Sequence, residues 1–242
     1  MKPAPLEPGA GQRLEELAYL ALREALIRGD FAPGETLAIR SIAAALQISV
    51  MPARTALRRL IAEQCLDVDA GGTAIVPVLR RAEFAEITSL RLVLEPMAAR
   101  LAAARITDAE LDEAARMSRL GAERRAVGDE GGYQLANYHF HFAIYRAARS
   151  PLLLSMIELL WMRRSPVMRE SQPYLHVRSA DLHDELMLAL RSHDEQRAAA
   201  VLYEDIDRAG KYLTGRLHFP DGPERVTGIA TLKPLHPRPH PA

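Results

Sequence analysis

Apolar positions recur along this chain at two periods, one helical and one alternating, and they divide it into two regimes. In residues 12–78 a first helix ends near Gly29, where the turn-rich link Gly29-Asp30-Phe31-Ala32-Pro33-Gly34 follows. A second helix, about 39–46, carries Ile42, Ala43 and Leu46 on one face. Gln47-Ile48-Ser49 is a short turn. The third helix reads VMPARTALRRLIAEQ, with Ser49 suited to cap it and Pro52 tolerated in the first turn. Its apolar stripe is Ala53, Ala56, Leu57, Leu60 and Ile61. LDVDAGGTAIVPV then reads as strand, Gly-Gly turn and strand, with Leu66 and Val68 before the turn and Ile75, Val76 and Val78 after it.

From Glu83 onward only the helical period remains. Apolar residues recur at three and four spacings over 84–104, 108–126, 133–148, 151–169, 181–193 and 195–215. Thr107 to Glu110 forms a capping box, and Ser179 and Asp181 suit a cap. No strand signal interrupts this stretch, so an antiparallel helical bundle is predicted.

Proline marks the ends. Three of the 16 prolines fall in residues 1–8 and six in 217–242. The expected division is a tail at 1–11, a small domain at 12–79, a helical domain at 80–216 and a tail at 217–242. His218, His236 and His240 in the last segment read as solvated residues of a tail.

Composition narrows the classes. The 242 residues are 48% hydrophobic and 26% charged, which suits packed domains. A single cysteine, Cys65, excludes an intrachain disulfide framework and fits a reducing, cytoplasmic setting. MKPAPLEPGAGQ has no signal-peptide core, and no apolar run approaches the ~18 residues of a membrane helix. The formal net charge is +0, so a case for nucleic acid has to rest on local patches.

One such patch lies on the third helix. Arg54 and Arg58 are four apart, on a face other than the apolar stripe, with Arg59 beside them. Two helices joined by a short turn, the second with a basic outer face, form a helix-turn-helix, whose second helix enters the major groove. Arginine suits that task because its fork binds guanine or phosphate. An ordinary helical hairpin with a solvated charged face is the plainer alternative, and residues 12–80 hold eight arginines against eight acidic residues with no lysine. The order of three helices, turn and Gly-Gly hairpin favours a winged helix-turn-helix, with the hairpin as wing.

The segment ALREALIRGDFAPGETLAIRSIAAALQISVMPARTALRRLIAEQCLDVDAGGTAIV resembles the winged-helix domain of the GntR family. The resemblance is carried by Gly29, Pro33 and Gly34, Leu37, the Ser49-x-x-Pro52-x-Arg54-x-Ala56-Leu57 stretch and Gly71-Gly72. It implies DNA contacts from Arg40, Ser49, Arg54 and Gly71; Arg58 joins them from the helical face alone. Val50 stands where an arginine is usual, Met51 where threonine is common and Thr55 where glutamate is usual, which implies an altered operator.

The second domain carries candidate chemistry in its core. Asn137 and His141 share a helix face, continued by Ile144, Tyr145 and Ala148. His183 sides with Leu186, Met187 and Leu190, and Asp205 with Ala198, Val201, Leu202 and Ala209. Imidazole, carboxylate and amide groups converging in a bundle suit a divalent cation. By spacing alone, an inward histidine is equally a core residue satisfied by hydrogen bonds.

The run Arg91-x-x-x-Glu95 with Ala98-Ala99 and Ala102-Ala103 resembles the start of the all-helical FCD domain of the FadR subgroup. Asn137-x-x-Phe140-His141, Leu182-His183 and Asp205 fall on that domain's metal positions, with aspartate changed to Asn137 and the last histidine to Asp205. The resemblance implies one divalent ion (zinc, nickel or manganese) and a small carboxylate effector meeting a basic group. Arg91 is the candidate for that group, a salt bridge to Glu95 being the plain alternative.

The expected fold is mainly α, a winged helix-turn-helix followed by an FCD-like bundle that senses ligand and dimerises. The expected function is a homodimeric repressor that binds a palindromic DNA operator under the control of an organic acid. Two alternatives stay open: a metal-dependent enzyme, for which Asp184 or Glu185 beside His183 could serve as base, and a regulator with a metal-free sensor. No catalytic nucleophile is evident, so an enzyme is not expected.

Overall fold

The computed structural model describes residues 10–171, 179–217 and 219. Helix α1 spans Ala10–Arg28 and so begins two residues inside the expected tail. It closes where Gly29 takes φ +74° and the amides of Gly29 and Asp30 bond back to Leu26 and Ala25. Strand β1 (Thr36–Leu37), α2 (Ile39–Ala45), α3 (Val50–Ala62), β2 (Asp67–Val68) and β3 (Ala74–Ile75) complete the first module. The sheet order is β1-β3-β2, all antiparallel, with Leu37 and Val68 both opposite Ala74.

The expected hairpin is present, but its second strand is the sheet's centre. Two-residue β1 offers no alternation to read, and it lies just past the Pro33-Gly34 turn. Gly34 makes that turn possible with φ +83°; a Cβ there would sit 3.3 Å from Val78 Cγ2. Ser49 occupies the N-cap of α3 with extended backbone, yet its hydroxyl makes no capping bond. The expected cap is therefore one of position only.

The second domain runs α4 (Arg81–Ala103), α5 (Asp108–Ala126), α6 (Glu130–Ala147), α7 (Pro151–Arg164), a 3-10 turn (Ser165–Ser171), α8 (Ser179–Arg191) and α9 (Glu195–Arg216). Thr107 and Glu110 form the expected capping box of α5. Asp129 and Asp194 cap α6 and α9 by accepting from the amides of Gly132 and Arg197. The side chain of Ser179 lies outside the described residues. The helix expected over 151–169 stops at Arg164, because Pro166 has no amide to continue the ladder.

Helix α5 packs mainly on α6, and α9 on α4 and α8, while α1 reaches across to α6. One apolar core runs from Leu22, Leu57 and Val76 of the first module to Phe140, Ile157 and Leu202 of the second. A smaller cluster joins Leu79, Phe84, Ile87, Leu160 and Leu213 to Leu217 and Phe219. The expected tail thus starts as packed structure. His218, His236 and His240 lie outside the described residues. Among the described residues no helix is long and apolar enough to cross a membrane.

Candidate nucleic-acid face and candidate metal centre

Helix α3 buries Pro52, Ala53, Ala56, Leu57 and Leu60, packs the partly buried Ile61 against the same core, and turns its arginines outward. Arg54 and Arg58 are exposed, as is Arg40 on α2, and none of the three has an ion-pair partner among the described residues. Together with Val50 and the wing residues Gly72 and Thr73 they border a notch of about 470 Å³. Arg59 differs from its neighbours. It pairs with Glu16 at 2.6 Å and Glu63 at 3.0 Å, and lies over the Tyr19 ring, so it holds α3 to α1. Ser49 and Gly71 are exposed; the Gly71 amide donates to Asp69 at 2.8 Å, which shapes the wing tip. All five residues expected to meet DNA therefore lie on the surface, on the module's α2, α3 and wing.

In the bundle, His141 on α6, His183 on α8 and Asp205 on α9 bring ligand atoms within 4.8 Å of one another. His141 Nε2 stands 3.9 Å from Asp205 Oδ2. The other nitrogen, Nδ1, lies 3.3 Å from the Tyr145 hydroxyl, whose proton goes to Glu95. Nδ1 is then the protonated nitrogen and Nε2 keeps a lone pair for the cluster, the arrangement metal-binding histidines adopt. Burial, then the charges around His183, Arg91 and Arg164, hold His141 neutral, well below its ordinary range. Burial and Arg125 push His183 down to about 4. His183 Nε2 is buried with no hydrogen-bond partner among the described residues. Burial is also the main force lifting Asp205 to about 6, Glu95 adding to it and three arginines opposing.

An orphaned imidazole nitrogen, a second imidazole with its lone pair inward and a carboxylate make a donor set that fits a divalent cation. Asn137 stands half-buried one turn before His141. The structure thus brings together three of the four expected ligands and keeps the fourth on the adjoining turn of the same helix.

A layer of charge lies beside this cluster. Arg91 and Glu95 form a buried pair, Nε to Oε1 at 2.5 Å and Nη2 to Oε2 at 3.2 Å. Glu95 also accepts from the Tyr145 hydroxyl and from Trp161 Nε1 at 3.0 Å. Arg91 is therefore held by the plain alternative to ligand contact. Arg164, which sequence reasoning missed, is buried with its Nε unpartnered and Nη1 against Met168 Sδ at 2.9 Å. Burial and the neighbouring Arg91 lower it to about 9. Arg91 and Arg164 both stack on the Trp161 ring, with guanidinium carbons 4.9 and 4.5 Å from its centroid. The sequence carried little sign of it: α7 also holds Ser155, Glu158 and Arg163, and nothing in the spacing sets Arg164 apart from them.

The two modules are pinned to each other by polar contacts. Arg23 of α1 donates to Tyr138 of α6 at 3.1 Å and pairs with Glu158 of α7. Arg163 of α7 reaches Asp67 of β2 at 2.6 Å.

Residues 14–76 match the family model described as bacterial regulatory proteins, gntR family, and residues 86–208 match that of the FCD domain. The HTH-type transcriptional regulator McbR of Escherichia coli (strain K12) is 29% identical over 206 residues, spanning 77% of this chain and 91% of that protein. The HTH-type transcriptional repressor GlaR of the same strain is 29% identical over 202 residues, 78% of this chain and 90% of its own length. The solved structure of E. coli McbR/YncC superposes with a TM-score of 0.74 at 27% identity, covering 84% of this chain and 97% of that one.

Proposed function

This chain belongs to the gntR family of bacterial regulatory proteins and carries an FCD domain, and from that premise we propose that it is a repressor whose grip on its operator is set by an organic acid bound in the bundle. It is a DNA-binding transcriptional regulator, not an enzyme.

The observation that carries the sensor reading is the buried cluster His141, His183 and Asp205 beside Arg164, whose Nε has no hydrogen-bond partner among the described residues. Two guanidiniums, Arg91 and Arg164, face the internal carboxylates Glu95 and Asp205, and Asp205 is itself lifted to about 6. Burial and Arg91 already lower Arg164, and with Glu95 bound to Arg91 an added anion would stabilise the second guanidinium. His141, His183 and Asp205, with Asn137 nearby, would hold a divalent ion. Such an ion supplies positive charge that binds a carboxylate and ties α6, α8 and α9 together. Arg164 meets the acid's other oxygens, the role first expected of Arg91.

At the other end of the molecule, Arg40, Arg54, Arg58, Ser49 and the Gly71 wing tip face DNA. A homodimer presents two such faces to a palindrome with half-sites about one helical turn apart. The dimer reading is supported by an exposed apolar stripe on α4, Leu90, Val93 and Met97. Acid acts by binding one arrangement of the two faces better than the other, and its effect equals that difference in affinity.

The test is a thermal-shift screen of small organic acids with and without divalent metals, followed by gel shifts on the promoter beside the protein's own gene. A specific shift whose affinity changes with an acid that also raises the melting temperature is expected. Absence of any specific shift, with and without acids, would overturn the reading.

A further inference from the structure

The start of α3 is apolar where the surrounding surface carries guanidiniums. Val50 and Met51 are 39% and 62% exposed. Val50, Arg54 and Arg58 follow one another at four-residue spacing on one face, and all three line the notch between α2, α3 and the wing. Met51 stands beside Val50 at the same end. The core is served by the opposite face, through Pro52, Ala53 and Ala56, so neither side chain is needed for packing. Side chains on a helix lean toward its N-terminus. Both apolar groups therefore project past the first turn, the end of a groove-bound helix that meets base edges.

The major groove offers acceptors, amino donors and one apolar group, the C5 methyl of thymine. A donor or acceptor pressed against Val50 and Met51 would lose its water and gain no partner. A methyl group there would instead be removed from water at a gain. We infer that each operator half-site carries a thymine whose C5 methyl packs against Val50 and Met51, which makes these two residues the selectors of that base pair. The inference rests on the reading of α3 as the groove helix. Arg54 and Arg58, one and two turns further along, then serve neighbouring bases or phosphates.

The full-length protein is used to select its preferred sequence from random duplexes. Each thymine of the half-site is then replaced by deoxyuridine, which keeps the base pair and removes only the methyl. At one position per half-site the affinity falls about four-fold, the value of one buried methyl. Replacing that thymine by cytosine weakens binding, and 5-methylcytosine regains part of the loss. In the Val50→Ala, Met51→Ala double variant the deoxyuridine effect disappears; since both side chains are exposed, its melting temperature stays that of the parent. If no thymine is sensitive to loss of its methyl, or if the double variant is equally sensitive, the inference is overturned and α3 remains the groove helix. If no sequence is selected above background, both the inference and the DNA reading of α3 fall.

Discussion

Three arginines within six residues of α3 show how local partners divide labour. Arg54 and Arg58 point outward with no ion-pair partner among the described residues, whereas Arg59 is bound to Glu16, Glu63 and the face of Tyr19. Arg54→Ala should therefore weaken operator binding by roughly 1–3 kcal/mol in a fluorescence titration while leaving stability unchanged. In the bundle, titration rather than pairing is decisive. A histidine whose folded value is about 4 against an ordinary 6.5 leaves the unfolded state holding more protons between those values. The stability that neutral His183 needs is then lost as pH falls through that window. Asp205 opposes this. Raised from 3.8 to about 6, it takes a proton first in the folded state, so its contribution is lost as pH rises between those values. In metal-stripped protein the two nearly offset from pH 6 to 4. Asp205→Asn removes the opposing group, and urea unfolding should show stability falling on acidification by up to about 1.4 kcal/mol more per pH unit than in the parent. His183→Ala should lower affinity for a divalent metal about ten-fold or more in chelator competition; unchanged metal content would remove His183 from the site.

Among the elements, the C-terminal end of α9 repays attention because its neighbours are aromatic. Phe219 lies 5.7 Å from Phe84, centroid to centroid, under the guanidinium of Arg81. Phe219→Ala should cost roughly 2–3 kcal/mol in chemical denaturation, whereas removal of residues 220–242 should leave the transition in place. Proline density over 217–242 hid this contact, since two apolar residues after a helix carry no period. The long helices α4, α5, α6 and α9 were legible because amphipathic spacing persists over many turns in each. Errors of two or three residues at helix starts, as at Ala10, Arg81 and Glu130, arise because a first turn need not carry the apolar period; at Arg81 and Glu130 local bonds to Glu83 and Asp129 fix it instead. Strand β1 was not legible because its only claim to be a strand is its pairing with β3. At the site, helical phase turned His141, His183 and Asp205 inward, and only the resemblance to the FCD domain marked them as candidate ligands. Arg164 was not, because its meaning depends on Glu95 being already taken by Arg91, Tyr145 and Trp161.

At the scale of the whole molecule, the sensor core and the DNA face are joined by α7. This helix carries Trp161 and Arg164 beside the cluster of His141, His183 and Asp205, and it also carries Glu158 and Arg163, bound to Arg23 and Asp67 of the first module. Occupancy of the core can thus bear directly on how the winged module is held, but one module reads only half a palindrome. For the proposed dimer, α4 offers a geometric solution. Glu86, Leu90, Val93, Met97 and Arg100 are exposed and follow each other at four, three, four and three residues, a single stripe. Glu86 precedes Val93 by seven residues and Arg100 follows it by seven. A two-fold axis through Val93 would set each Glu86 against the other copy's Arg100, with the apolar residues between them, and among the described residues neither charge is paired within its own chain. Val93→Glu places two like charges on the axis and should convert a dimer to a monomer in sedimentation, with a large loss of operator affinity because the second half-site is no longer held in reach. Reversal of Glu86 or Arg100 alone should weaken the dimer, and reversing both should restore it, since every opposed pair is then again of opposite sign. A dimer that survives Val93→Glu, or a double reversal no stronger than either single one, would place the two-fold axis elsewhere on the bundle.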